Sequence, residues 1–142
     1  MRHCLVVAHQ TLDSPRLADA MLEELTREPC TFHLLVPVLS HGDGWTWTEA
    51  EVRATAQEHL NQALSGFRLD GFAIDGEIGG PSPVDAVNDL LLREGADAYD
   101  VVLVSTLPHA VSRWLRIDVP SRIARNTGIP VRHVEAPARV LH

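Results

Sequence analysis

Apolar positions along the chain fall into two alternating kinds of run. Residues 4–8 read CLVVA without a polar interruption, and a mostly polar stretch from His9 to Ser14 ends the run. Such a pattern predicts a strand buried on both faces. From Ser14 the period changes: Pro15 stands at a first helical position, and Leu17, Ala18, Met21, Leu22 and Leu25 recur at helical spacing. Residues 31–38 (TFHLLVPV) return to the strand pattern. Residues 40–47, with Gly42 and Gly44, form a turn-rich loop, and Thr48 with Glu51 makes a capping box that opens a helix to about residue 65. Residues 72–74 suggest a short third strand and residues 76–83 a Gly/Pro loop. A helix over 83–94 then carries Val84, Val87, Leu90 and Leu91 on one face. Residues 101–104 (VVLV) are the clearest buried strand. An irregular stretch follows over 105–117, then a short helix over 119–126, a stop at Gly128 and a last strand over 130–134.

This order, βαβαβαβαβ, predicts one α/β domain over residues 1–142, an open five-stranded parallel sheet with helices on both faces. Ligands of such sheets sit at the carboxyl ends of the strands, beside the point where the strand order reverses. Two loops therefore carry the functional expectation, residues 9–14 after the first strand and 105–117 after the fourth.

Composition narrows the chemistry. At 142 residues and 45% hydrophobic content the chain is long enough to bury a core without metal or disulfide staples. Cys4 and Cys30 stand far apart, with no histidine at zinc-ligand spacing, and are expected as buried free thiols of a cytoplasmic protein. No apolar run approaches the ~20 residues of a membrane span. The net charge is −7 and all twelve basic residues are arginine, which argues against nucleic-acid binding and excludes lysine-based phosphate or Schiff-base chemistry. Eight histidines form no H-x3-H pair, so no metal site is expected. Glu77, Asp85 and Asp89 suggest a carboxylate cluster, but a helix start explains Asp85. Ser105, Ser112 and Ser121 lack the G-x-S-x-G elbow of serine hydrolases. Trp45 and Trp47, with no basic residue between them, suit a covered sheet edge or a partner surface.

The two loops, the helix segment 121–125 (SRIAR) and the run Ile129, Pro130, Val131 resemble the universal stress protein family, and the likeness of architecture spans essentially the whole chain. The related scaffold is that of the adenine-nucleotide alpha-hydrolase-like proteins. Resemblance implies an adenine nucleotide, ATP or AMP, at the cleft and a homodimer paired through the last strand, here Val131, His133 and Val134. Family members end the first strand in an Asp that contacts adenosine and wrap the phosphates with a G-x2-G-x9-G-S/T loop. Aligned here, His9 takes the place of that Asp, Ser105 and Pro108 fall on the first two glycines, and Ile117 and Asp118 fall on the Gly-Ser/Thr pair. Counting from either end of the loop disagrees by one residue.

The substitutions have a physical direction. Glycines let backbone N–H groups approach phosphate oxygens at a helix N-terminus. Pro108 and Pro120 supply no N–H, and Asp118 is expected to cap the following helix with its own carboxylate. Arg113 and Arg116, flanking Trp114, can offset that charge; the trio suits a stacked base or a gripped phosphate, or equally an aromatic anchor between solvated arginines. His9 and His109 are candidates for ligand contact or acid/base work, or are polar loop residues. The ligand-contact set is thus His9, Ser105, His109, Arg113, Arg116, Asp118 and Ser121. Three readings follow: a non-catalytic stress-protein-like homodimer with ATP binding weakened or lost, or with another small ligand in the cleft; a nucleotide-binding protein using Arg113 and Arg116 for phosphates; and a small nucleotide-dependent enzyme using His9 or His109 as acid/base.

Overall fold

The computed structural model describes residues 1–38 and 48–137. Its elements are β1 (Arg2–Val7), α1 (Pro15–Arg27), β2 (Cys30–Pro37), α2 (Glu49–Leu69), β3 (Ile74–Gly79), α3 (Pro83–Glu94), β4 (Val101–Thr106), α4 (Arg113–Arg116), α5 (Val119–Thr127) and β5 (Val131–Glu135). The strands form one sheet in the order β3-β2-β1-β4-β5, with every neighbouring pair parallel. Chain order runs outward from β1 to β3 and then returns to β4 on the other side of β1. The seam between β1 and β4 is therefore the switch point of the sheet.

Alternation along β1 divides the core into two layers. Cys4, Val6 and Ala8 face α1 and α2, where Leu17, Met21, Leu60, Leu64 and Phe67 meet them. Leu5 and Val7 face α3 and α5, against Val84, Val87, Leu90, Val119 and Ile123. Each fully buried Leu or Val contributes roughly 1.5–3 kcal/mol, and the continuous apolar runs of β1 and β4 exist because both faces are covered in this way. On the first face Phe72 stands edge-on to both Phe32 and Phe67, with ring centroids 5.4 and 5.8 Å apart.

Helix boundaries follow their signals closely. Thr48 and Glu51 form the reciprocal capping box, and Ser82 caps α3 by accepting from the Asp85 N–H at 3.3 Å. Helix α2 continues past residue 65 because Leu60, Leu64 and Phe67 carry its apolar stripe one turn further. The irregular stretch 105–117 contains a single helical turn, α4.

Two expectations are corrected. The third strand occupies Ile74–Gly79 rather than residues 72–74, so half of the expected Gly/Pro loop is strand. It forms because β2 offers a full register of backbone partners, from Phe32 opposite Ile74 to Pro37 opposite Gly79. Its glycine is required there: a Cβ on Gly76 would lie 2.7 Å from the Leu34 carbonyl oxygen, closer than real atoms approach. The second correction concerns β5. It is an edge strand, but Val134 is buried within its own chain and Val131 packs against the α3/α5 core layer, so neither presents an open apolar face. His133 is exposed, with Nε2 2.7 Å from the Thr106 hydroxyl. Residues 39–47, with Trp45 and Trp47, and residues 138–142 of the tail lie outside the described residues.

One charged group joins the layers. Glu24 of α1 has a side chain only 2% exposed, and Oε1 and Oε2 accept from Arg2 of β1 at 3.1 Å and Arg132 of β5 at 2.9 Å. Burial pushes this carboxyl up, but the hydrogen bonds from Arg132 and Arg2 outweigh it and hold Glu24 below the ordinary range. Among the described residues, no helix is long and apolar enough to cross a membrane and no group of His, Cys, Asp or Glu is arranged to hold a metal ion.

Candidate functional site

At the carboxyl ends of β1 and β4 the two expected loops face each other across a cleft of about 190 Å³. Its walls are residues 9–11 after β1, residues 105–107 at the end of β4, Ser112, Arg113, Trp114 and Ile117 in and beside α4, and residues 81–83 at the start of α3. The parallel topology alone accounts for this convergence, since β1, β3 and β4 all release their loops at the same end of the sheet.

Hydroxyl groups crowd the cleft floor, and they bond to the protein itself. Thr11 and Ser105, both buried, lie with their oxygens 2.5 Å apart, joining the two loops across the switch point. Buried Ser112 accepts from the Leu115 N–H at 3.2 Å and so caps α4. Thr106 is engaged by His133, and the Glu135 carboxylate accepts from the His109 N–H at 3.0 Å, clamping the loop to β5. These bonds fix the loop where glycines would have left backbone donors open to a phosphate.

His9 is half-buried on the cleft wall, and burial pushes its imidazole below the ordinary histidine value. It is therefore neutral near pH 7, with one ring nitrogen a donor and the other an acceptor. Its ring makes no hydrogen bond among the described residues. Arg113 is exposed at the cleft mouth, and it too has no ion-pair partner among them.

Of the candidate residues, the structure brings His9, Ser105 and Arg113 to one cleft and leaves His109, Arg116, Asp118 and Ser121 outside its lining. Those four are exposed. The expected cap is corrected: Asp118 precedes α5 with φ 55°, and its carboxylate makes no capping hydrogen bond. An aspartate tolerates this left-handed conformation at a modest cost, and taking it up turns the backbone rather than the side chain into the helix start. Arg122 N–H bonds the Asp118 carbonyl at 3.1 Å, while Pro120 removes one of the free donors an anion would need.

The suspected carboxylate cluster does not form. Glu77 bonds His33 at 2.8 Å and Arg93 at 2.5 Å on the β3 side of the sheet, away from the cleft. Sequence reasoning missed Thr11, Thr106 and the Pro81–Pro83 wall as cleft residues. The strand-end rule could have placed residues 81–83 there; nothing local marks Thr11 as the partner of Ser105. A second cavity, of about 760 Å³ between the start of α1 and α2, shares His9 and Gln10 with the cleft.

No protein-family model matches the chain, and no curated protein does. Solved structures do match. A universal stress protein from Archaeoglobus fulgidus aligns with 15% identity and a TM-score of 0.59 over 94% of this chain and 93% of that one. A universal stress protein family protein from Arabidopsis thaliana, with AMP bound, aligns with 13% identity and a TM-score of 0.62 over 97% of this chain and 94% of that one. The five-stranded parallel sheet and its helices thus have the fold of universal stress proteins.

Proposed function

We propose that the chain, as one domain over residues 1–142, is a non-catalytic, universal-stress-protein-like cytoplasmic module that forms homodimers through β5 and binds a small molecule at the β1/β4 cleft, with affinity for ATP weakened or lost. The observation that carries this reading is the self-bonded cleft: Thr11 with Ser105, Ser112 with the α4 backbone, and Glu135 with the His109 N–H. The His109 N–H and one hydroxyl hydrogen of the Thr11/Ser105 pair are donors already engaged within the protein, which must be released to serve a phosphate, and Pro108 and Pro120 add none. Arginine replacement of the missing donors is poorly supported, because Arg113 borders the cleft and Arg116 does not. Acid/base catalysis also lacks a partner, since His9 lines the cleft while His109 does not, and no carboxylate lines it among the described residues.

The Arabidopsis neighbour has AMP bound, so adenine nucleotides are the ligands to test first. A dissociation constant of about 1 mM gives only ~0.4 kcal/mol of stabilisation at about 1 mM ATP, a rise in melting temperature of about 1–2 °C for a chain of this size. A scan of melting temperature against ATP should show a shift of that order. A saturable rise of more than about 5 °C would overturn the reading.

A further inference from the structure

We propose that the cleft between the β1 and β4 loops takes a single-ring aromatic carboxylate, its ring against Pro83, Trp114 and Ile117 and its carboxylate on the Arg113 guanidinium. This rests on the small-molecule reading of the same cleft and specifies its ligand.

Size comes first. A cavity of about 150 Å³ holds a benzene ring, whereas drug-sized ligands occupy roughly 300–1,000 Å³. At about 190 Å³ the cleft by itself suits one ring with one small substituent; a base, a ribose and a phosphate together would have to extend past His9 and Gln10 into the adjoining cavity of about 760 Å³. Wall chemistry agrees. Pro81, Pro83, Leu107, Trp114 and Ile117 make most of the lining apolar, and Trp114 is held in place by packing on the α3/α5 core layer. A rigid indole and flat proline rings favour an aromatic face over a flexible chain.

Charge then selects the substituent. The chain carries a net charge of −7, yet among the described residues the lining contains a guanidinium and no carboxylate. One arginine with no ion-pair partner among the described residues, at the mouth of an apolar slot, matches one carboxylate, which it can take bidentately; it does not match the several charges of a polyphosphate. Thr11 and Ser105 share one hydrogen bond and the Ser112 oxygen already accepts from the Leu115 N–H, so these hydroxyls are partly committed to the protein. His9 and Gln10 make no side-chain hydrogen bond among the described residues, and His9 can exchange one with a ring hydroxyl.

Ligand-observed NMR titration of the full chain with benzoate, 4-hydroxybenzoate, benzyl alcohol and AMP tests the proposal. Benzoate should bind with a dissociation constant on the order of 1 mM or tighter, and benzyl alcohol, lacking the charge, about tenfold more weakly. Arg113→Gln should weaken benzoate about tenfold while leaving benzyl alcohol unchanged. Ile117→Trp should fill the slot and abolish binding of both; Ile117 is 44% exposed, so the larger side chain leaves the core intact, which an unchanged melting temperature verifies. No benzoate binding at roughly 20 mM, or equal binding to parent and both variants, overturns the inference. If AMP is also silent, only the aromatic-acid inference falls. If AMP binds tightly while benzoate does not, the weakened-nucleotide reading falls with it.

Discussion

His9 sits half-buried at the end of β1, and burial holds its imidazole below the ordinary histidine value. A lowered value means that the folded state resists protonation. The stability it contributes is fully present above the ordinary value of about pH 6.5 and is lost as pH falls through the lowered folded value. The chain should therefore lose stability in urea melts between about pH 7 and pH 5, and His9→Gln should flatten that portion of the profile. Glu24 and Glu77, whose carboxyls are held below their ordinary range, act at lower pH and leave this window to the histidine. An unchanged slope in the variant would show that His9 is not the group responsible. His9 was visible in the sequence because an uninterrupted buried run stops at it. Thr11 was not, because its partner Ser105 stands 94 positions away and no local pattern records the pairing. Asp118 misled for a related reason: the residue type is a good helix cap, but its backbone takes the left-handed conformation at the turn out of α4 and its carboxylate makes no cap.

Element boundaries were legible wherever a cap or breaker fixed them, as Thr48 with Glu51, Pro83 and Gly128 did. Strand β3 was not, because four of its six residues are glycine or acid, and only the register offered by β2 makes it a strand. The edge strand β5 was placed correctly but its surface was misread, since Val134 turns into its own core. The proposed dimerisation through β5 would then depend on backbone rather than side chains. Val102 N–H bonds the Pro130 carbonyl and Ala136 N–H bonds the Thr106 carbonyl, so the even-numbered residues of β5 serve the β4 ladder and Val131, His133 and Glu135 point their N–H groups outward. A proline at position 133 removes an outward donor without touching the internal ladder. His133→Pro should convert a dimeric parent to a folded monomer in light scattering with far-UV circular dichroism. A monomeric parent, or a folded variant that stays dimeric, would refute pairing through this strand.

For the molecule as a whole, alternation of buried strands and amphipathic helices was enough to predict the parallel sheet and the end at which the cleft lies. What alternation could not supply is the long-range electrostatics. Glu24 binds Arg2 and Arg132 across 22 and 108 positions, and its helical spacing alone gives no sign that it is buried. Glu24→Gln keeps the shape and removes the charge from between two arginines, at a cost of about 2 kcal/mol, or a fall of about 6 °C in melting temperature. A fall of less than about 1 °C would mean the pair offsets no more than its own desolvation. The same carboxylate also bears on how the chain is made. In synthesis Arg2 and Glu24 are added within 22 positions of each other, whereas Arg132 follows Glu24 by 108 positions. Until Arg132 is added the buried carboxylate lacks one of its two closest arginines and β4 lacks its outer neighbour, so a chain caught before that point presents an open strand edge that invites pairing with other chains.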